Sequence, residues 1–108
     1  MSLKRDSANL LKVTGVVDYY DLDAAGDPTP VLGATVKAQV FKSDRSTQLG
    51  SDVVLTVETD QPQNDYRGIF PATDLLDTED EVSVRYEVNA GGASAISVSW
   101  VDEEVVDA

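Results

Sequence analysis

The chain has no cysteine and no histidine, and only one methionine and one tryptophan. These absences exclude disulfides, thiolate nucleophiles, Cys/His zinc sites, Ser-His-Asp triads and any imidazole acid or base. Bases are scarce too: 8 Lys and Arg stand against 20 Asp and Glu, a net charge of −12. Such a chain repels phosphates and anionic lipid, so neither nucleic acid nor a membrane is an expected partner. Long apolar runs are also missing. None approaches the roughly 20 residues of a membrane helix, and none follows Lys4 and Arg5 as a Sec signal requires. The expected location is the cytoplasm, and the lack of cysteine fits a reducing compartment.

The 108 residues are the size of one domain, able to bury roughly 65% of the unfolded surface around a single core. Valine is the commonest residue, and β-branched side chains suit a pleated surface. Apolar residues recur with period two. Leu11, Val13, Gly15, Val17 and Tyr19 form one such run, and Val36, Ala38 and Val40 another. Further runs fall at 53–57, 66–70, 82–88 and 96–101, and Thr47–Leu49 adds a small seventh. One wet and one buried face per strand predicts an all-β fold. The expected form is an antiparallel β-sandwich, Ig-like or fibronectin-III-like, of six to seven strands, with a closed barrel as the alternative.

Residues 23–30 read as a loop, because two prolines lack the N–H that a ladder needs. Gly91-Gly92 read as a hairpin turn between the last two strands. Thr73–Glu81 carry five carboxylates around Leu75 and Leu76, and predict a short helical crossover in which one leucine plugs the sandwich edge. The domain is expected to span 10–102. Residues 1–9 are expected to be disordered or a cloning remnant, and 103–108 an acidic tail.

The charge is lopsided. Residues 1–45 are neutral overall and 46–108 hold the whole acidic excess. Two readings fit: solubility with protection of edge strands, or an acidic face that docks on a basic partner.

Asp21, Asp23 and Gly26 fall at positions one, three and six of a calcium loop, and Asp27 follows. Ala25 and Leu32 stand where further ligands belong, no helix flanks the segment, and a turn explains the same residues. Asp21, Asp23 and Asp27 are therefore the candidate cation ligands, set against a plain turn. Paired carboxylates can run glycoside hydrolysis across a cleft, but a domain this small rarely builds one, and no enzyme is expected. Among the aromatics, the register points Tyr86 and Trp100 inward. Tyr20 and Phe41 fall on the solvent side, either packed under a loop or forming a contact platform.

Ala34–Val40, the segment Asp65-Tyr-Arg-Gly-Ile-Phe-Pro71, Val84–Gly92 with its Ala-Gly-Gly end, and Trp100 occur in that order. This arrangement resembles a group of small phage and prophage proteins, encoded among virion-assembly genes and built as Ig-type sandwiches. The likeness spans about residues 10–102. It departs from the group where Thr78-Glu79-Asp80 stand in place of a glycine before the Tyr86 strand. The resemblance implies a non-enzymatic structural or assembly role, with other virion proteins or a second copy as partners, no cofactor, and a place in the host cytoplasm or the virion. The other reading is an Ig-like ligand-binding module for a glycan or cell surface, with a weak calcium loop.

Overall fold

A computed structural model describes residues 2–22, 24–30, 33–57, 65–89 and 96–107, with 17–22 and 28–30 described by backbone alone. Among the described residues nine strands follow one another: β1 (Ser2–Lys4), β2 (Asn9–Val13), β3 (Val17–Leu22), β4 (Pro28–Pro30), β5 (Thr35–Lys42), β6 (Val53–Val57), β7 (Tyr66–Phe70), β8 (Glu81–Asn89) and β9 (Ile96–Val106). Seven form one sheet in the order β1-β9-β8-β5-β6-β7-β2, and β3 and β4 form a separate pair. The sheet is mixed, because β1 runs parallel to β9 while the other pairs are antiparallel. The all-β expectation holds. The pairing gives one continuous mixed sheet bent into a nearly closed barrel. β6 makes the bend, pairing with β5 over 53–55 and with β7 over 56–57.

Closure follows from chain order. The two end strands, β1 and β2, are neighbours in sequence, so the sheet edges must meet within the short link between them. Asn9 makes the join. Its Oδ1 accepts the Lys4 N–H at 2.8 Å, and its Nδ2 donates to the carbonyls of Lys4 at 3.0 Å and Ser7 at 3.1 Å. One buried side-chain amide thus serves both backbone groups of Lys4, as a ladder partner would. Arg5 fastens the other side. Its N–H donates to Val106 O at 2.9 Å, and its guanidinium reaches Asp107, Asp80 and the Glu79 carbonyl. Leu3 is fully buried and contributes on the order of 2 kcal/mol. Residues 2–4, expected to be disordered, are therefore an ordered part of the domain.

Other expectations are corrected by local chemistry. The single run 11–20 breaks into β2 and β3 at Gly15, whose φ of 68° no ladder residue adopts. Pro28 and Pro30 form β4 instead of a loop, tolerated because a short strand with one neighbour leaves their missing N–H unneeded. The 73–81 segment is not helical. Thr73 Oγ1 accepts the Leu75 N–H at 3.2 Å, and Asp77 and Glu79 donate to the Asp74 and Leu76 carbonyls, each at 3.1 Å, as successive turns. Its expected plug is present, since Leu76 is buried in the core while Leu75 is exposed. Residues 103–106 complete β9, with Glu103 and Val105 buried, so they are no tail. Thr47–Leu49 contribute only a bridge, Phe41 to Gln48. Gly68 does allow close approach, because a Cβ there would lie 2.7 Å from Val54 O.

Gly15 N–H donates to buried Asp65 Oδ1 at 2.9 Å, and Ala34 N–H to the hydroxyl of buried Tyr66 at 3.0 Å. Two adjacent residues at the start of β7 thereby tie down both feet of the β3–β4 excursion.

Asn9→Ala leaves Lys4 N–H and C=O without these partners. It is expected to cost about 1–3 kcal/mol in a denaturant titration, and a loss under about 0.5 kcal/mol would show that the clasp is not holding the edges. Tyr86 supplies a second test. Burial raises its phenol above the ordinary value of 10.0, and the Glu103 carboxylate adds to the rise. The neutral phenol is the favoured form in the fold. Its contribution is thus fully present below about pH 10 and lost as pH climbs through the raised folded value. Tyr86→Phe should flatten the alkaline fall in stability, and an unchanged fall would contradict the assignment.

Candidate interaction surface

The outer face of β5, β8 and β9 carries a polar ladder that ends in an aromatic pair. Lys37 Nζ sits between Asp52 at 3.8 Å and Glu87 at 3.6 Å. Arg85 donates to Gln39 Oε1 at 3.0 Å and to Glu87 Oε1 at 3.2 Å. The amides of Gln48 and then Gln39 hold the Asp52 carboxyl below its ordinary value.

Phe41 and Trp100 stand on strands either side of β8, yet their rings meet edge to face at 5.2 Å. Ser83, directly opposite Phe41 and fully buried, is small enough to let them. Its hydroxyl donates to Asp102 Oδ1 at 2.5 Å. The Arg45 guanidinium lies 4.6 Å from the Trp100 ring centre and 3.9 Å from Asp102. Arg45 reaches it from a tight turn in which its own N–H donates to Lys42 O at 2.8 Å and its φ is 63°. Ser46 donates hydroxyl and N–H to Asp44 in the same turn and holds that carboxyl below its ordinary value. Glycine is the favoured residue at such a φ. An arginine there accepts roughly 1 kcal/mol of strain, and its cation–π and acidic contacts are what offset it.

β9 inverts its own polarity. Opposite Arg85, Glu87 and Asn89 stand Trp100, Val98 and Ile96, on the outer face. Ser97 and Ser99 point to the inner side, opposite Val88 and Tyr86. The register is set lower down, where Glu103 and Val105 go inward and Arg5 grips Val106. A strand has one parity, so fixing 103–105 fixes 96–101. Trp100 is half-buried on the outside, not in the core, while Tyr86 is core as expected. Ile96, Val98 and Val101 are left 48%, 45% and 41% exposed.

A second apolar area lies across β2, β7 and β6. Leu10 faces Ile69 directly, and Val54 and Ile69 line a surface groove of about 410 Å³ that runs to Gly50, Pro71 and Thr73. All three apolar side chains are exposed.

Of the residues singled out from sequence, Phe41 joins a cluster, with Trp100 above it and Arg45 over the tryptophan ring. That ring face is therefore already covered. The side chains of Tyr20 and Asp21 lie outside the described residues, as does Asp23 altogether. Asp27 is exposed at the end of the β3–β4 connection. Among the described residues no three acidic side chains converge as metal ligands. Sequence reasoning missed Arg45, whose only signal is an Asp-Arg-Ser turn, and the inverted β9, whose signal is a neutral, β-branched run ending abruptly in Asp102-Glu103-Glu104. No family model, curated protein or solved structure matches the chain.

Arg45→Gly exchanges backbone strain for a cation–π contact. It is expected to move stability by less than about 1 kcal/mol while exposing Trp100 to acrylamide quenching. Trp100→Ala should cost about 1–2 kcal/mol; a cost of about 3–5 kcal/mol would return the ring to the core.

Proposed function

We propose that this protein is a non-enzymatic structural or assembly component of a phage or prophage virion, acting through protein–protein contacts on an Ig-like sandwich scaffold. The motif order from Ala34 to Trp100 is the ground for the phage reading, by resemblance. The switch of β6 between β5 and β7 supports the sandwich reading, because a strand that changes partners along its length is where one sheet folds toward a second layer.

The observation that carries the contact role is the outward apolar area of Leu10, Ile69 and Val54 on a chain of net charge −12. Apolar side chains grouped on an otherwise charged surface are the composition of a protein interface. The acidic excess of residues 46–108 gives the chain a field that attracts a basic partner surface.

The test is incorporation during growth of the encoding phage. The protein should be found in purified particles or assembly intermediates at a fixed copy number. Ile69→Asp, at an exposed position, should keep its denaturant midpoint and lose incorporation. Absence of the wild-type protein from particles and intermediates alike would refute the assignment.

A further inference from the structure

One edge of β9 is only partly covered among the described residues. In β9 the odd residues face β8 with their backbone groups, since Val105 N–H donates to Asp80 O. The even residues face the opposite side, since Val106 O accepts from Arg5. β1 covers that side only from Glu104 to Val106. Among the described residues no strand pairs with the even side of Ile96–Asp102. The segment is long, β-branched and uncharged up to Val101, and it lacks the lysine, proline or bulge that blunts a natural edge.

We infer that this edge pairs with the same edge of a second copy, antiparallel about a two-fold axis through Ser99. The inference rests on the contact role proposed above and names its partner. Three observations select this occupant and register. The hydrogen-bonding parity matches, because the register sets Val98 against Trp100 of the second copy and Ile96 against Asp102, all even residues with outward backbone groups. The charge pattern matches as well. Asp102 meets a neutral residue, whereas a parallel pairing stacks Asp102 on its own copy. The inverted polarity matches, because the outward row of Ile96, Val98 and Trp100 becomes a continuous apolar strip across both chains. An isologous contact of this kind closes after two copies.

Ser99 provides the test. In this register it faces its own copy as a non-hydrogen-bonded pair, with Cα atoms about 4.5 Å apart, within reach of a disulfide. The chain has no cysteine, so Ser99→Cys carries the only thiol. Under mild oxidation it should cross-link rapidly, and Ser46→Cys in the exposed turn should not. Light scattering on the wild type should show a dimer that grows with concentration and with salt, as screening weakens repulsion between two chains of −12. Val98→Pro removes an outward N–H without touching the β8 ladder, and Val98→Asp keeps the backbone; each should give a monomer. Val54→Asp, on the other apolar area, should leave the dimer intact.

A wild-type monomer at every concentration overturns the inference, as does a dimer that survives both Val98 variants. In the second case the proposed contact role stands and only its location changes. A particle-borne protein that is monomeric alone likewise refutes the edge pairing and not the assembly role.

Discussion

One asparagine side chain stands between this sheet and an open ribbon. Asn9 takes both backbone groups of Lys4, at 2.8 Å and 3.0 Å, where two edge strands joined by a short link would otherwise face each other unpaired. With that join made, β1 lies parallel to β9, Leu3 enters the core, and Arg5 draws the end of β9 against the 71–80 connection. The parity of β9 is then fixed from below. Its outward apolar row, the side of Ile96–Asp102 that no described strand pairs with and the placement of Trp100 all descend from that fixed end.

The strands that a reader of the sequence can find are those with one wet and one buried face. β5 and β6 alternate cleanly, β8 does so apart from buried Ser83, and all three sit where their patterns put them. β1 was not legible, because three residues carry no period and their partner lies a hundred residues away. The β2–β3 break depends on one glycine φ, and the β4 prolines on having a single neighbour. Trp100 shows the deeper limit. Serines alternate with Ile96, Val98 and Trp100 in a pattern that reads as apolar-inward, yet the register with β8 turns the set outward. Pattern alone reports two faces and not which one is buried when a strand overhangs the core. Of the candidate surface, Phe41 was legible as an outward aromatic. Arg45 was not, because only the folded chain brings its turn over Trp100.

Charge is divided by task. Arg5, Lys37 and Arg45 sit in ion pairs that tie one element to another, and Arg85 pairs with Glu87 along β8 while it donates to Gln39 on β5. Half of the eight cations serve in these contacts, and the 20 acids outnumber all of them, which leaves a broad acidic exterior. On such an exterior the apolar areas at Ile69 and Val98 are conspicuous breaks.

The paired anchors of the β3–β4 excursion have a consequence for how this domain can vary. Asp65 and Tyr66 hold Gly15 and Ala34 by their backbone N–H groups, so neither grip uses a side chain from the excursion, although the positive φ at position 15 favours glycine. Among the described residues β3 and β4 pair only with each other, while Val16 beside the first foot stays in the core. The β3–β4 pair therefore forms an exchangeable cassette, open to insertion or replacement in related chains and to grafted peptides in the laboratory, on a base that keeps Val16 in the core.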